Sequence, residues 1–267
     1  MKNHKGIHVE LIKPPKPSEI NHCTLVNEDN ENFFVITSPR DNTYKYGYFF
    51  HLSNSRSGHN FVKNNIFSWV GHPENKPRRY YNLENYNPKR FSIDTKTVDL
   101  TKYPDLISII QVRDLLNWYA SLILFVNRKP HNPPDYIEFY FRTWCDIVKE
   151  YVGETNYLPN AIPLYYDDFF QSADYRKSIC DQIKGAVYNE DVINKVTYGG
   201  GGSTFDKFSY QGRGSEMQVL ERYKQVPEEY QHWWKVLAEH PEAIELYLKH
   251  FDVSAEKKKF INDIKYL

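Results

Sequence analysis

The segment formed by residues 46–61 constrains the fold of this chain more than any other. It begins with an apolar run, continues through the small polar residues 53–58, and then leads into apolar residues at near-helical spacing up to Val70. This order predicts a buried strand, a turn and a helix, which Gly71 and Pro73 end. Such a loop directs backbone N–H groups and the positive end of the helix dipole at one place, which predicts an anion site.

The loop lacks the features of a Walker A motif. That motif needs G-x-x-x-x-G-K-[ST], whose Lys and hydroxyl hold phosphate and magnesium. Here His59 and Asn60 follow Gly58, and Arg56 supplies the positive charge. A P-loop kinase-like nucleotide-binding protein stays open as an alternative, with Asp114 and Asp167 as the carboxylates available for magnesium.

The loop resembles the 5′-phosphosulfate loop of sulfotransferases that use 3′-phosphoadenylyl sulfate (PAPS). Their pattern is a strand followed by P-[KR]-S-G-[TS]-[TS]-[FWL]. This chain departs from it where a Ser replaces the Pro and where His and Asn replace the hydroxyl pair. The resemblance implies that the sulfate end of PAPS is held by Ser55, Arg56, Ser57, Gly58, His59, Asn60 and Phe61.

A second segment resembles the same family. Residues 106–112 form a mostly branched, apolar run that predicts a buried parallel strand, and Arg113 follows it directly. A buried guanidinium needs an anionic partner. The family has an Arg here and a Ser eight residues later, which together hold the 3′-phosphate of PAPS; Arg113 and Ser121 match, although Leu115 replaces the family's Pro. The alternative is a structural pair between Arg113 and Asp114.

Two weaker resemblances follow. Residues 162–169 resemble the family's Y-E-[DN]-L, whose carboxylates hold loops and helix ends near the cofactor. Four glycines at 199–202 predict a flexible loop, because glycine disfavours regular structure. Beyond them, Arg213 and Gly214 resemble the late basic loop that closes over the 3′-phosphate, with a plain surface loop as the alternative.

The resemblance also implies catalytic roles. Arg56 would neutralise the charge that grows on the leaving oxygen, since Arg stays protonated near neutral pH. Glu84, which follows Arg56 by 28 residues at the end of a strand-like run, is the favoured general base. His59 and His72 are the rival bases, and each of the three is, taken alone, more often a structural or surface residue.

Composition limits the classes of function. The 34 basic and 34 acidic residues cancel, which argues against a broad nucleic-acid binder. The three cysteines have no metal-ligand spacing, and their odd number favours a reducing compartment. No apolar stretch approaches the roughly 20 residues of a membrane span, and no apolar segment follows the N-terminus. We therefore expect a cytoplasmic enzyme or an excised catalytic domain, and the resemblance implies a reaction that needs no metal.

These observations predict one sulfotransferase-like α/β domain over residues 1–267. We expect a central parallel sheet of about five strands flanked by helices, an N-terminal arm or strand pair at 1–40, and a helical C-terminal third.

The implied activity transfers a sulfuryl group from PAPS to a hydroxyl or amine of a small-molecule or glycan acceptor, leaving adenosine 3′,5′-bisphosphate (PAP). A non-catalytic relative that binds nucleotide or glycan is the other alternative. The sequence names neither the acceptor nor the oligomeric state. Helices are predicted at 135–151, 175–187, 214–225, 228–238, 241–250 and 255–264.

Overall fold

A computed structural model defines the fold for most of the chain. Backbone is described for residues 21–28, 31–37, 43–46, 49–54, 56–70, 80–84, 91–93, 107–128, 135–158, 161–196 and 203–264. Side chains are described for residues 51–54, 56–70, 108–128, 137–158, 161–196 and 203–264.

A parallel sheet forms the centre of the fold. Its strands are β4 (Phe49–Ser53), β5 (Tyr80–Glu84), β7 (Ile107–Val112) and β8 (Ile162–Tyr165), in the order β5-β4-β7-β8. Every neighbouring pair is parallel. The predicted α/β class and parallel sheet are confirmed, with four strands among the described residues where the sequence predicted about five.

Helices cover both faces of this sheet. Alternate residues of a strand point to opposite faces, so Ile109 and Ile110 belong to separate apolar clusters. Ile109 packs with α1 (His59–Trp69), α4 (Tyr166–Gln171) and α5 (Ala173–Asp181). Ile110 packs with α2 (Leu115–Asn127), α3 (Asp135–Tyr151) and the C-terminal helices. The parallel sheet and these helices therefore form three layers.

The N-terminal strands form a second sheet. Its members are β1 (Asn21–Glu28), β2 (Glu31–Thr37), β3 (Thr43–Tyr46) and β6 (Phe91–Ile93), in the order β3-β2-β1-β6. The pairs β1–β2 and β2–β3 are antiparallel, whereas β1 and β6 are parallel. The predicted N-terminal strand pair is thus part of a larger sheet, because β3 and β6 add to its two edges.

The C-terminal third is helical, but two of its predicted helices differ from the prediction. The predictions for α3, α7 (Pro241–His250) and α8 (Ala255–Ile264) are confirmed. The predicted helix at 214–225 is instead two short 3-10 segments, Gly214–Glu216 and Val219–Gln225, and the one at 228–238 is a 3-10 segment, Glu228–Trp233, before α6 (Trp234–Ala238). Non-helical backbone at Met217, Gln218 and Val226 interrupts the α-helical hydrogen bonds.

Candidate functional site

The order of the strands defines a switch point between β4 and β7. The chain leaves β4 for β5 on one side and then crosses to β7 on the other side. In open parallel sheets, ligands bind outside the carboxyl ends of the strands where the order reverses in this way. Residues 54–58 follow β4 there, and Arg113 follows β7. The two predicted anion-binding segments therefore meet at the switch point.

The backbone of the loop turns sharply before α1. Arg56 and Gly58 both have positive φ, at 68° and 87°. The Ser57 N–H donates to the Asn54 carbonyl at 3.1 Å, which closes the turn. A Cβ built on Gly58 would lie 2.0 Å from the ring of Tyr166, so both the φ angle and the space require glycine. Helix α1 starts at the next residue, and the N–H groups of Phe61 and Val62 in its first turn donate to the Gly58 carbonyl at 3.0 and 3.2 Å.

Buried polar side chains support the loop from below. Gln111 Nε2 donates to the Ser57 carbonyl at 2.6 Å, and Gln111 Oε1 lies 2.6 Å from His51 Nε2. The His51 ring stacks on His59 with 4.0 Å between ring centroids. His59 Nδ1 lies 2.6 Å from Ser53 Oγ. Strands β4 and β7 thus hold the loop through side chains on the α1 face of the sheet.

Burial keeps both of these imidazoles neutral. It lowers the pKa of His51 to about 3, against a smaller opposing effect of the Gln111 hydrogen bond. Burial also lowers the pKa of His59 well below its ordinary value, and His51 and Lys63 lower it further. With a side chain only 2% exposed and bonded to Ser53, His59 contacts no solvent-facing space. The geometry favours a structural role for His59 over the role of a base.

Arg113 joins the loop to α2 and to the C-terminal segment. Its Nη1 donates to the Arg56 carbonyl at 3.0 Å and to Ser121 Oγ at 3.3 Å. Its Nη2 donates to the Val219 carbonyl at 2.8 Å, and its guanidinium lies 5.0 Å from the Tyr166 ring centroid. Its Nε has no hydrogen-bond partner among the described residues, even though Arg113 is buried, with 5% of its surface exposed. The structure brings together Arg113 and Ser121, as the sequence predicted.

Asp114 serves a structural purpose at the start of α2. Its Oδ1 accepts from the Asn117 N–H at 2.9 Å and caps the helix. Its Oδ2 accepts from Lys257 Nζ at 2.7 Å and from the Tyr247 hydroxyl. No hydrogen bond between Asp114 and Arg113 is found in the described part of the chain. The alternative of a simple pair between these two residues is therefore not what the structure shows.

A second carboxyl group lies in the same buried cluster. Asp167 Oδ2 accepts from Asn117 Nδ2 at 3.1 Å, at the start of α4. Burial and the nearby Asp114 raise the pKa of Asp167 to about 7. The predicted role of residues 162–169 was to hold loops and helix ends, and this contact between α4 and α2 fits that role.

Residues 203–225 lie across the loop and both arginines. Arg56 donates to the Thr204 hydroxyl, and Arg128 Nη1 donates to the Thr204 carbonyl at 2.6 Å. Within the segment, Arg222 forms a salt bridge with Asp206. Because the Val219 carbonyl accepts from Arg113, this segment supplies oxygen atoms to both of the predicted anion-binding arginines.

Glu84 lies at the edge of the same site. In the parallel register Ser53 pairs with Glu84 on one side and with Gln111 on the other. Neighbouring strands are about 4.8 Å apart, so the Glu84 backbone lies one strand away from the start of the loop. The favoured base is thus positioned at the carboxyl end of β5.

The remaining predicted residues lie in different surroundings. Phe61 packs in the apolar core against Tyr166, Phe169 and Phe170 rather than facing the loop.

Asn60 is on the first turn of α1, where its Oδ1 accepts from Lys63 Nζ at 3.0 Å. Arg213 is exposed, forms an ion pair with Glu216 and lies over Tyr210. Gly214 is required by the nearby Ile193 carbonyl, which a Cβ would approach to 2.5 Å.

Three predictions lie outside the described residues: Ser55 and His72 as site residues, and the flexible glycine loop at 199–202.

Sequence reasoning missed His51, Gln111 and the unpartnered amide of Asn54. The signal for the first two was a polar residue inside an otherwise apolar strand. Asn54 is 2% exposed, and neither of its side-chain amide atoms has a partner among the described residues. The contribution of Val219 had no sequence signal, because it is a main-chain carbonyl that any residue type would supply. The contribution of the Thr204 hydroxyl had no sequence signal either.

A cavity of about 410 Å³ opens between α4, α5 and the segments 190–193 and 215–220. Gln218 and Leu220, on either side of Val219, both line it, and Phe170 and Met217 form part of its apolar wall. Small-molecule sites have volumes of roughly 300–1,000 Å³. The cavity is therefore large enough for part of a small ligand.

The described residues contain no cluster of three or more His, Cys, Asp or Glu able to hold a metal ion. Among the same residues, no helix is long and apolar enough to cross a membrane. No family model, no curated protein and no solved structure matches the chain.

Proposed function

We propose that this chain is a sulfotransferase that moves a sulfuryl group from PAPS to a hydroxyl or amine of a small-molecule or glycan acceptor. The observation that carries the proposal is the contact between Arg113 and Ser121 beside the Arg56 carbonyl. Two groups suited to anions therefore adjoin at one switch point. PAPS has a phosphate at its 3′ position and a phosphosulfate at its 5′ position, which suits two adjoining anion sites.

Unpartnered polar atoms at the site support the proposal. Arg113 Nε and the Asn54 amide are buried and have no partner among the described residues. Leaving a buried polar atom without a hydrogen bond costs about 1–3 kcal/mol. Phosphate and sulfate oxygens would accept from both groups. Bound donor would also replace the oxygens that Thr204 and Val219 now supply to the two arginines.

The proposed reaction is an in-line transfer. The bond between sulfur and the bridging oxygen breaks, a bond between sulfur and the acceptor atom forms, and PAP leaves. Arg56 stabilises the negative charge that grows on the bridging oxygen. Glu84 takes the proton of the acceptor, which makes the acceptor a better nucleophile.

A non-catalytic nucleotide-binding protein is the second candidate. The observation that favours it concerns position 59, where the family has a hydroxyl and this chain has a buried His. The hydroxyl of the family's loop is therefore absent here. The kinase-like alternative has less support. Asp114 and Asp167 are already engaged by Lys257 and Asn117, and the loop has no Lys.

Nucleotide binding provides the first test, measured as the shift in thermal unfolding temperature. We expect PAP and PAPS to stabilise the protein more than 5′-AMP does, because only the former two carry the 3′-phosphate that Arg113 and Ser121 would bind. Ser121→Ala should reduce the difference between PAP and 5′-AMP, whereas Ser178→Ala, at an exposed hydroxyl on α5, should leave it unchanged. Greater stabilisation by ATP with magnesium would contradict the proposal.

The role of Glu84 is tested by transfer activity, after a screen of glycans, phenols and amines has identified an acceptor. We expect Glu84→Gln to lower turnover by about 10²- to 10⁴-fold, the usual contribution of a general base. PAP binding should stay unchanged, because the carboxylate acts on the acceptor. Unchanged turnover in this variant would rule out Glu84 as the base.

A further inference from the structure

One polar residue of the central strand β7 has a geometry that the proposed reaction does not by itself explain. Gln111 is completely buried between the apolar residues Ile110 and Val112, and its amide bonds to the loop as well as to His51 of β4. A buried amide is favourable only where its hydrogen bonds are formed. Its two ends are both engaged, one by His51 and one by the Ser57 carbonyl.

The chemistry of these partners fixes the orientation of the amide. A carbonyl oxygen only accepts, so the group beside the Ser57 carbonyl must be the Gln111 NH₂. The Gln111 oxygen then faces His51, and it must accept from His51 Nε2. Because burial keeps His51 neutral, its one ring proton is on Nε2, and it holds Gln111 in the orientation that donates to the loop.

The Ser57 carbonyl in turn fixes the next N–H group. The Ser57 carbonyl and the Gly58 N–H belong to one planar trans peptide, and no described peptide bond is cis. In such a unit the C=O and N–H bonds point in opposite directions. Since the carbonyl points at Gln111, the Gly58 N–H points away from it. No described residue accepts a hydrogen bond from this N–H.

The preceding peptide is held by the residue that follows the same strand. Arg113, two residues after Gln111, donates to the Arg56 carbonyl at 3.0 Å. The N–H of that peptide belongs to Ser57, and it turns inward to the Asn54 carbonyl. Gln111 in β7 and Arg113 just after it thus fix two consecutive peptides of the loop, and they leave the Gly58 N–H as the donor directed away from the strand.

We infer that Gln111 is a positioning residue that directs the Gly58 N–H toward the anion of the loop. The inference rests on the proposed function for the identity of that anion, the phosphosulfate of PAPS. It adds one main-chain donor, the Gly58 N–H, to the side-chain donors of Arg56 and Arg113. It also explains why a mostly apolar strand contains a buried amide at this position.

The sequence permits a direct measurement of this peptide. Ser57-Gly58 is the only Ser-Gly step in the chain, so labelling with carbonyl-¹³C serine and ¹⁵N glycine gives one HNCO signal. That signal reports the Ser57 carbonyl and the Gly58 N–H together. We would titrate the full chain with PAP and, in a separate arm, with inorganic phosphate.

We expect the Gly58 proton to shift downfield as either anion binds. Gln111→Met should move the Ser57 carbonyl signal upfield, through loss of the hydrogen bond, and weaken anion binding by about tenfold. Gln111→Glu retains the acceptor for His51 but cannot donate to Ser57 while its carboxyl group is ionised, so in alkaline buffer it should weaken binding similarly and serves if the Met variant does not fold. Ser108→Ala, at a buried residue of β7 whose hydroxyl has no described partner, should change neither quantity.

The two proposals fail in different ways. A Gly58 signal that responds to phosphate in a Gln111-dependent manner, without any response to PAP, would support the positioning role and contradict the nucleotide function. Equal anion affinity in wild type, Gln111→Met and Gln111→Glu would overturn the positioning role while leaving the function in place. A Gly58 signal that responds to no anion would overturn the inference as well.

Discussion

Gly58 satisfies two independent constraints at one position. Its φ of 87° is a conformation that costs an L-residue roughly 1–2 kcal/mol. The Tyr166 ring also occupies the place of a side chain. The sequence motif identified this glycine through the loop pattern, but the steric reason comes from a residue on α4 that lies more than 100 positions away.

Alanine variants at Gly58 and at Gly153 separate the φ penalty from the clash with Tyr166. We expect Gly58→Ala to lower the free energy of unfolding by the φ penalty plus about 1–3 kcal/mol of overpacking against Tyr166. Gly153→Ala is the matched control, because Gly153 has a φ of 78° and nothing within 4 Å of an added Cβ. Urea unfolding of both variants checks the difference. Equal losses would show that the ring moves aside without cost.

At the scale of elements, the junction between β7 and α2 determines the shape of the site. Asp114 caps α2 and also binds Lys257 of α8, so one carboxylate connects the start of α2 with the C-terminal helix α8. The sequence predicted the strand and the helix from their apolar residues, since spacing alone specifies them. It could not predict the partner of Asp114, because Lys257 is 143 positions away.

Variants of Asp114 should distinguish the cap from the ion pair. We expect Asp114→Asn to lower stability, because Lys257 loses its negative partner, while the amide oxygen still accepts from the Asn117 N–H. Asp114→Ala should cost about 1 kcal/mol more, the usual value of a lost N-cap. Denaturant unfolding measures both variants, with Asp174→Ala as an exposed control in the first turn of α5. A smaller loss for the Ala variant would contradict the capping role.

At the scale of the whole molecule, buried titratable groups link stability to pH. His51 and His59 have folded-state pKa values below the ordinary 6.5, so their contribution is present above pH 6.5 and is lost as the pH falls toward about 3. The pKa of Asp167 is raised from 3.8 to about 7, so its contribution is present at low pH and lost as the pH rises through 7. Between pH 7 and 5 the two effects oppose each other.

Removing the carboxyl group should therefore expose the histidine effect. We expect wild type to lose stability from pH 7 to pH 5, and Asp167→Asn to lose about 1–2 kcal/mol more over the same interval. Urea unfolding at both pH values checks this, with Asp168→Asn as the control, because Asp168 is on the same helix and its carboxylate accepts from Gln171. An equal loss in wild type and Asp167→Asn would show that Asp167 does not hold a proton in the folded state.

The sequence by itself determined the local elements: the strand, loop and helix at 49–69, the strand and helix at 107–127, and the amphipathic helices α3, α7 and α8. Periodicity and turn residues encode these, because they depend on neighbours in the chain. It also determined the juxtaposition of Arg113 and Ser121, since two helical turns connect them. Only the tertiary structure decided how β7 holds the loop through Gln111, how Tyr166 imposes glycine at position 58, and how residues 203–225 cover both arginines. Those contacts join segments that are about 50 to 150 residues apart, and no local pattern records which segments will meet.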